Sequence, residues 1–191
     1  MSVFKVYVER KQGYRIEAES VKRDLRENLM IGGLEGVRFI NRYYVEGISE
    51  GIFEKAKYTI FSEPQTDIAS DSIEYGESDR VFAVEYLPGQ FDQRADSCSQ
   101  CIQILTQGDR PIVKTAKIYI LSGEITDGEF ESIKKYIINP VECREASFEV
   151  PLSLEDKHEM PDMVPTIEGF IQMTREYYKG FIAKYGLAMD E

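Results

Sequence analysis

VRFINRYYVEG (residues 37–47) returns as VKTAKIYILSG (residues 113–123), matching at the first Val, at Arg or Lys, at Tyr and at the closing Gly. Both stretches are rich in β-branched and aromatic residues and end at a turn residue, so each reads as a strand or hairpin. Working outward, three further blocks repeat in the same order. Val3-Phe4-Lys5-Val6 recurs as Val81-Phe82-Ala83-Val84, Ala18-Glu19-Ser20 as Ala95-Asp96-Ser97, and ISEGIFE from Ile48 as ITDGEFE from Ile125. Four blocks in one order imply an internal duplication.

Periodicity assigns the elements of each copy. The first block alternates and predicts a half-buried strand. Ala18, Val21, Leu25 and Leu29 form a helical stripe, as do Ala95, Cys98, Ile102 and Leu105. Ser49 and Thr126 are N-cap candidates, and Thr126-Asp127-Gly128-Glu129 has the pattern of a capping box ahead of Phe130, Ile133 and Ile137. Each copy is therefore expected to be β-α-β-α, with a closing strand near Ile73 in the first and at residues 147–150 in the second. The fold class follows as α+β, two such units packed as a pseudo-dimer because neither buries a sheet face alone. The expected boundaries are 1–64 for the first unit, 65–80 for a polar linker, 81–150 for the second unit and 151–191 for a further linker and helix. In that last segment Ile167, Phe170, Ile171, Thr174, Tyr178, Phe181 and Tyr185 predict one helix ending near Gly186, and the apolar Leu187-Ala188-Met189 beyond it reads as the start of a longer chain.

Composition excludes several functions. A net charge of −11 lacks the basic face that displaces counterions from nucleic acid. No apolar run approaches the ~18 residues of a membrane helix, and the alternating N-terminus is unlike a signal peptide, so a cytoplasmic protein is expected. The three cysteines are expected to be thiols.

FDQRADSCSQC (residues 91–101) concentrates the candidate chemistry. One Cys-x-x-Cys without a second ligand pair is a weak zinc signal. A redox cysteine sits at a helix N-terminus, whereas Cys98 lies a turn inside and aligns with Val21 of the first copy. It is expected to be a small buried hydrophobe, with Cys101 packing at the edge of the same stripe. His158, the lone histidine, lies in a proline-bounded linker that holds no base near a nucleophile. No phosphate-binding glycine motif is present, and Gly32-Gly33 reads as a helix C-cap and turn. Neither a catalytic residue nor a metal site is assigned. Phe91, Asp92, Gln93 and Arg94 remain open to two readings. Asp92 caps the helix and Arg94 pairs with a carboxylate, or the loop meets a partner surface. With Asp96 and Ser97 they form the set of interface candidates.

NRYYVEGIS from Asn41, FAVEYLPGQFDQRADS from Phe82, QCIQILTQG from Gln100 and IINPVECREAS from Ile137 resemble the N-terminal region of the large, single-chain phosphoribosylformylglycinamidine synthases. The resemblance runs from Val3 to about Glu149, and residues 166–191 are similar to the start of that family's linker region. It implies a fused duplicate of the small PurS subunit, noncatalytic in itself. This part would contact the synthetase and glutaminase domains of the same chain and help organise ammonia transfer. The parent enzyme would convert formylglycinamide ribonucleotide, ATP and glutamine to the formylglycinamidine ribonucleotide. ATP and magnesium would belong to the parent, with no cofactor, nucleic acid or membrane partner for this segment and possible dimerisation in isolation. Cys98 departs from the small residue, such as Ala, that the resemblance leads one to expect. A second expectation, of another class, is a self-contained ferredoxin-like protein that binds a small molecule or works through a thiol.

Overall fold

The computed structural model describes residues 2–155 and 166–186. The chain divides into two compact units, Met1–Asp156 and Lys157–Glu191. Both expected repeats fall inside the first.

The first half forms β1 (Phe4–Arg10), α1 (Ile16–Asn28), β2 (Leu34–Glu46), α2 (Glu50–Ala56), a π-helical turn (Lys57–Phe61) and β3 (Asp67–Ser70). In the second half come β4 (Arg80–Tyr86), α3 (Gln93–Thr106), β5 (Ile112–Gly123), α4 (Asp127–Ile137) and β6 (Cys143–Glu145). The class is α+β. Six strands form one sheet in the order β3-β1-β2-β5-β4-β6, with every neighbouring pair antiparallel.

β2 lies against β5 along nearly its whole length, from Gly36 opposite Ser122 to Glu46 opposite Ile112. In the alignment of the two quoted stretches, Asn41 corresponds to Lys117, and these two residues face each other across the pair. The strand order consequently reads the same from either edge. One alignment is moved by the register. Phe82 lies opposite Tyr119 and Val6 opposite Tyr43, so Val6 takes the place of Phe82. A shift of two residues leaves every side chain on its own face, which is why alternation alone did not reveal it.

Odd-numbered residues of β2 meet the helices. α2, the π turn and α3 bury Phe53, Ala56, Phe61, Ala95, Cys98 and Ile102 against Val6, Val8, Tyr43, Val45 and Val113. Similarly, α1 and α4 bury Ala18, Leu25 and Ile133 against Val37, Phe82 and Leu121. Each cluster takes one helix from each half. On the opposite face Tyr7, Ile40, Ala83, Ala116, Ile118, Ile120 and Ala146 are buried, with Ile73 packed against them. The segments after β3 and β6 reach this face, where Arg38 Nη1 donates to Glu74 O (3.0 Å) and Arg42 Nη1 to Ser147 O (2.5 Å).

The caps fall where expected. Ser49 Oγ accepts from Ile52 N, and Thr126 with Glu129 closes a reciprocal capping box. The closing strands do not. They are Asp67–Ser70 and Cys143–Glu145, earlier than the expected positions at Ile73 and 147–150, because Ile73 packs onto the sheet face instead of joining its edge. β3 also lies inside the region expected to be linker.

In the second unit the expected single helix is broken. A 3-10 turn (Phe170–Gln172) precedes α5 (Arg175–Tyr185), and Thr174 is extended between them. Phe170 still packs its ring against Tyr178 and Phe181, each at 5.6 Å, which explains the stripe without a continuous helix. Gly186, at φ 61°, ends α5 as expected of a C′ glycine. His158 lies outside the described residues.

Because each cluster draws on both halves, the first unit should unfold as one body. Phe82, fully buried, is the most direct probe. Phe82→Ala is expected to cost about 3–5 kcal/mol, while urea unfolding followed by circular dichroism and tyrosine fluorescence stays a single coincident transition.

Candidate functional site

β4 ends at Tyr86, and Leu87-Pro88-Gly89-Gln90 turns the chain. Gln90 N donates to Leu87 O (3.0 Å), with Gly89 at φ 88° after the proline. That is the residue chemistry of a type II turn, whose third position requires a positive φ. Phe91 follows with 69% of its surface exposed. Asp92 then caps α3, its Oδ1 accepting from Ala95 N (2.9 Å) and its Oδ2 from the Thr115 hydroxyl of β5 (2.6 Å). The helix starts at Gln93. One carboxylate thereby starts the helix and ties it to the sheet.

Arg94 finds a phenol where a carboxylate partner was one expectation. Its Nη1 donates to the Tyr43 hydroxyl (3.2 Å). Burial pushes the Tyr43 hydroxyl above its usual range, so it stays protonated, and the nearby guanidinium only partly opposes this. Gln93 and Ser97 are exposed. Asp96 does not stand free beside them, because it pairs with Arg110. The Arg110 Nε donates to Ser99 Oγ (2.9 Å), which in turn donates to Pro111 O (2.7 Å). Asp96 therefore fastens the connection between α3 and β5.

Beside α3 opens a cleft of about 730 Å³. Asn41 and Lys117 line it from the central strands, Arg94, Ser97 and Cys98 from α3, and residues 59–63 from the π turn and its exit. The π turn has a sequence cause. From the cap Ser49 to the start of β3 at Asp67 the first half is one residue longer than the second, from Thr126 to Cys143. A π turn absorbs such an insertion without breaking the helix, and such turns recur at functional sites.

The cleft carries mixed charge in defined pairs. Lys117 Nζ lies 2.6 Å from Glu17 Oε1 of α1, and Arg10 Nη1 lies 2.9 Å from Asp67 Oδ1. The half-buried Asn41 amide makes no hydrogen bond among the described residues, leaving a donor and an acceptor available to a ligand. Sequence reasoning missed Asn41, Tyr43 and Lys117. A signal existed, since Asn41 interrupts Val37, Phe39, Tyr43 and Val45 on the inward face of β2, and Lys117 stands between Thr115 and Tyr119 on that of β5.

Cys98 is buried, as its alignment with Val21 implied, and burial pushes its thiol up to about 12 despite Arg94 nearby. It is a protonated packing group at neutral pH. Cys101 corrects the expectation made for it, because it is exposed. Position 101 points off the buried stripe of Ala95, Cys98 and Ile102. Among the described residues no group of three or more His, Cys, Asp or Glu side chains could hold a metal ion, and no helix is long and apolar enough to cross a membrane. No protein-family model and no curated protein matches the chain.

Two outcomes test this arrangement. Asp92→Ala should destabilise the protein by about 1–2 kcal/mol through the lost cap, and Asp92→Asn by less, as read from urea midpoints. Iodoacetamide at neutral pH should label Cys101 in the native protein well before Cys98, as peptide mass spectrometry would show. The Cys98 thiol is held neutral up to about 12 in the fold but ionises near its ordinary 9.0 when unfolded, so its contribution to stability falls as pH rises across that window. Cys98→Ala should flatten part of the alkaline loss.

Proposed function

We propose that this chain is the noncatalytic assembly domain of an ATP-dependent glutamine amidotransferase of purine biosynthesis, the PurS-like duplicate at the start of a phosphoribosylformylglycinamidine synthase. The observation that carries this reading is convergence. Three of the four stretches that bear the resemblance lie on separate elements yet line the same cleft. NRYYVEGIS supplies Asn41 and Tyr43, FAVEYLPGQFDQRADS supplies Arg94 and Ser97, and IINPVECREAS supplies Ile137 and Cys143. A chain that only needed to fold would not have to gather its least common motifs around one opening.

The symmetric strand order supports the duplicate reading, since a two-fold related pair of β-α-β-α-β units generates that order when their second strands pair. Phe91, exposed at the cleft's entrance loop, and Arg94 on its wall are the contact residues in this reading. They would seat the synthetase or glutaminase domain and keep the ammonia route aligned. ATP and magnesium would bind in the synthetase domain, outside this segment. The cleft's volume and its Asn41 amide, which bonds no other described residue, also favour a second reading, in which a small polar ligand occupies the cleft of a self-contained protein.

The test separates coupling from chemistry. In the full enzyme containing this chain, the double substitution Phe91→Ala with Arg94→Ala should lower glutamine-dependent turnover roughly tenfold, within the usual range of coupling between sites. Turnover with added ammonium should be nearly unchanged, because free ammonia bypasses the glutaminase. Equal turnover with both nitrogen sources would remove the assembly role. A reading frame that stops after Glu191, together with small-molecule binding abolished by Asn41→Leu, would establish the second reading.

A further inference from the structure

On the sheet face turned away from the helices, Arg42, Tyr44 and Glu46 occupy successive alternate positions of β2. Together they hold the strap that follows β6. Arg42 Nη1 donates to Ser147 O (2.5 Å) and the Tyr44 hydroxyl to Glu149 O (3.5 Å), while Glu46 Oε2 accepts from Leu154 N (2.6 Å) and Ser153 Oγ (3.0 Å). Sheet and strap both line a pocket of about 210 Å³. Three cations, Arg42, Lys114 and Arg144, line it with two carboxylates, Glu85 and Glu149.

Arg42 determines what this pocket can accept. Its side chain is only 4% exposed, with the guanidinium 4.4 Å from the Tyr44 ring centre. Nε has no hydrogen-bond partner, and Nη2 reaches Glu85 Oε2 only at 3.9 Å. Glu85 is already engaged by Arg144, whose Nε and Nη2 both lie 2.8 Å from Oε1. Ser147 O thus gives this buried cation its one short hydrogen bond among the described residues. A guanidinium has five donors, and burying them unsatisfied is costly. An oxyanion with two acceptor oxygens meets that need in two ways, by neutralising charge and by accepting along a fork of N–H groups.

We propose that the pocket beneath the strap binds a small oxyanion, a carboxylate or phosphate group, through the Arg42 guanidinium with Lys114 and Arg144 at its wall. The site lies on the sheet face opposite the helical cleft, with Glu85 and Thr115 as the lining residues common to both, and its proposal is independent of the assembly role. An anion there would cross-link β2, β6 and the strap.

The experiment titrates the 191-residue chain, labelled with ¹⁵N, with sodium phosphate in one arm and sodium succinate in another, at ionic strength held constant with chloride. The readout is the arginine Nε–H resonance of Arg42, assigned by its loss in Arg42→Lys. A saturable shift is expected in at least one arm, and the arm that gives it identifies phosphate or carboxylate as the ligand group. Because Arg42→Lys can loosen the strap, Arg144→Gln provides the second test. It should weaken binding roughly tenfold, the loss of about one charge-assisted hydrogen bond. No saturable shift in either arm, or affinity unchanged in both Arg144→Gln and Lys114→Gln, overturns the proposal.

Discussion

The pairing of β2 with β5 is the constraint on which the rest of the first unit depends. It joins a three-stranded sheet from each half into one surface, centred where Asn41 faces Lys117. Helices then cover the sheet across the join. α3 of the second half shares its buried face with α2 and with Val6, Val8 and Tyr43 of the first, and α4 shares its own with α1. Separating the halves would expose Val45, Val113, Ile118 and Leu121 together with the apolar faces of four helices. Burial of that surface is the main force holding the halves together, since hydrophobic stabilisation scales with the apolar area removed from water.

The cleft is a consequence of how the two halves differ within this common plan. At the centre of the join, inward positions carry Asn41 and Lys117 in place of apolar residues. On one side the added residue of the first half forms the π turn. On the other, α3 is capped by the Asp92 side chain, whereas Arg15 at the N-cap of α1 makes no side-chain cap bond. The counterpart of Arg94 in the first half is Glu17, which reaches across to Lys117. One helix start therefore closes over the central strand and the other leaves an opening. The proposed contact role of Phe91 and Arg94 rests on that difference.

Much of the frame was legible because it rests on local rules. Alternation located β1 and β4, β-branched and aromatic content located β2 and β5, helical stripes located α1 and α3, and the Thr126 box marked the start of α4. Cys98 could be judged from Val21, the apolar residue at the matching place on the helical stripe of the first half. Other features depend on long-range partners. A closing strand was expected near Ile73, but that side chain packs on a sheet face instead. Asp96 looked available in the sequence, yet Arg110, far along the chain, claims it. Asn41 and Lys117 left a trace as polar residues at inward positions, a signal that becomes readable only once β2 and β5 are known to pair. The same limit hid the orphaned Nε of Arg42, whose nearest carboxylate, Glu85, is engaged by Arg144.

Native-state hydrogen exchange across β2 and β5, measured residue by residue in low urea, tests the shared sheet most directly. The account predicts that the protected amides of both strands exchange only through global unfolding, so that their opening free energies converge on one value equal to that from urea denaturation. Two separate sets of values, with β1 and β2 opening independently of β4 and β5, would contradict it.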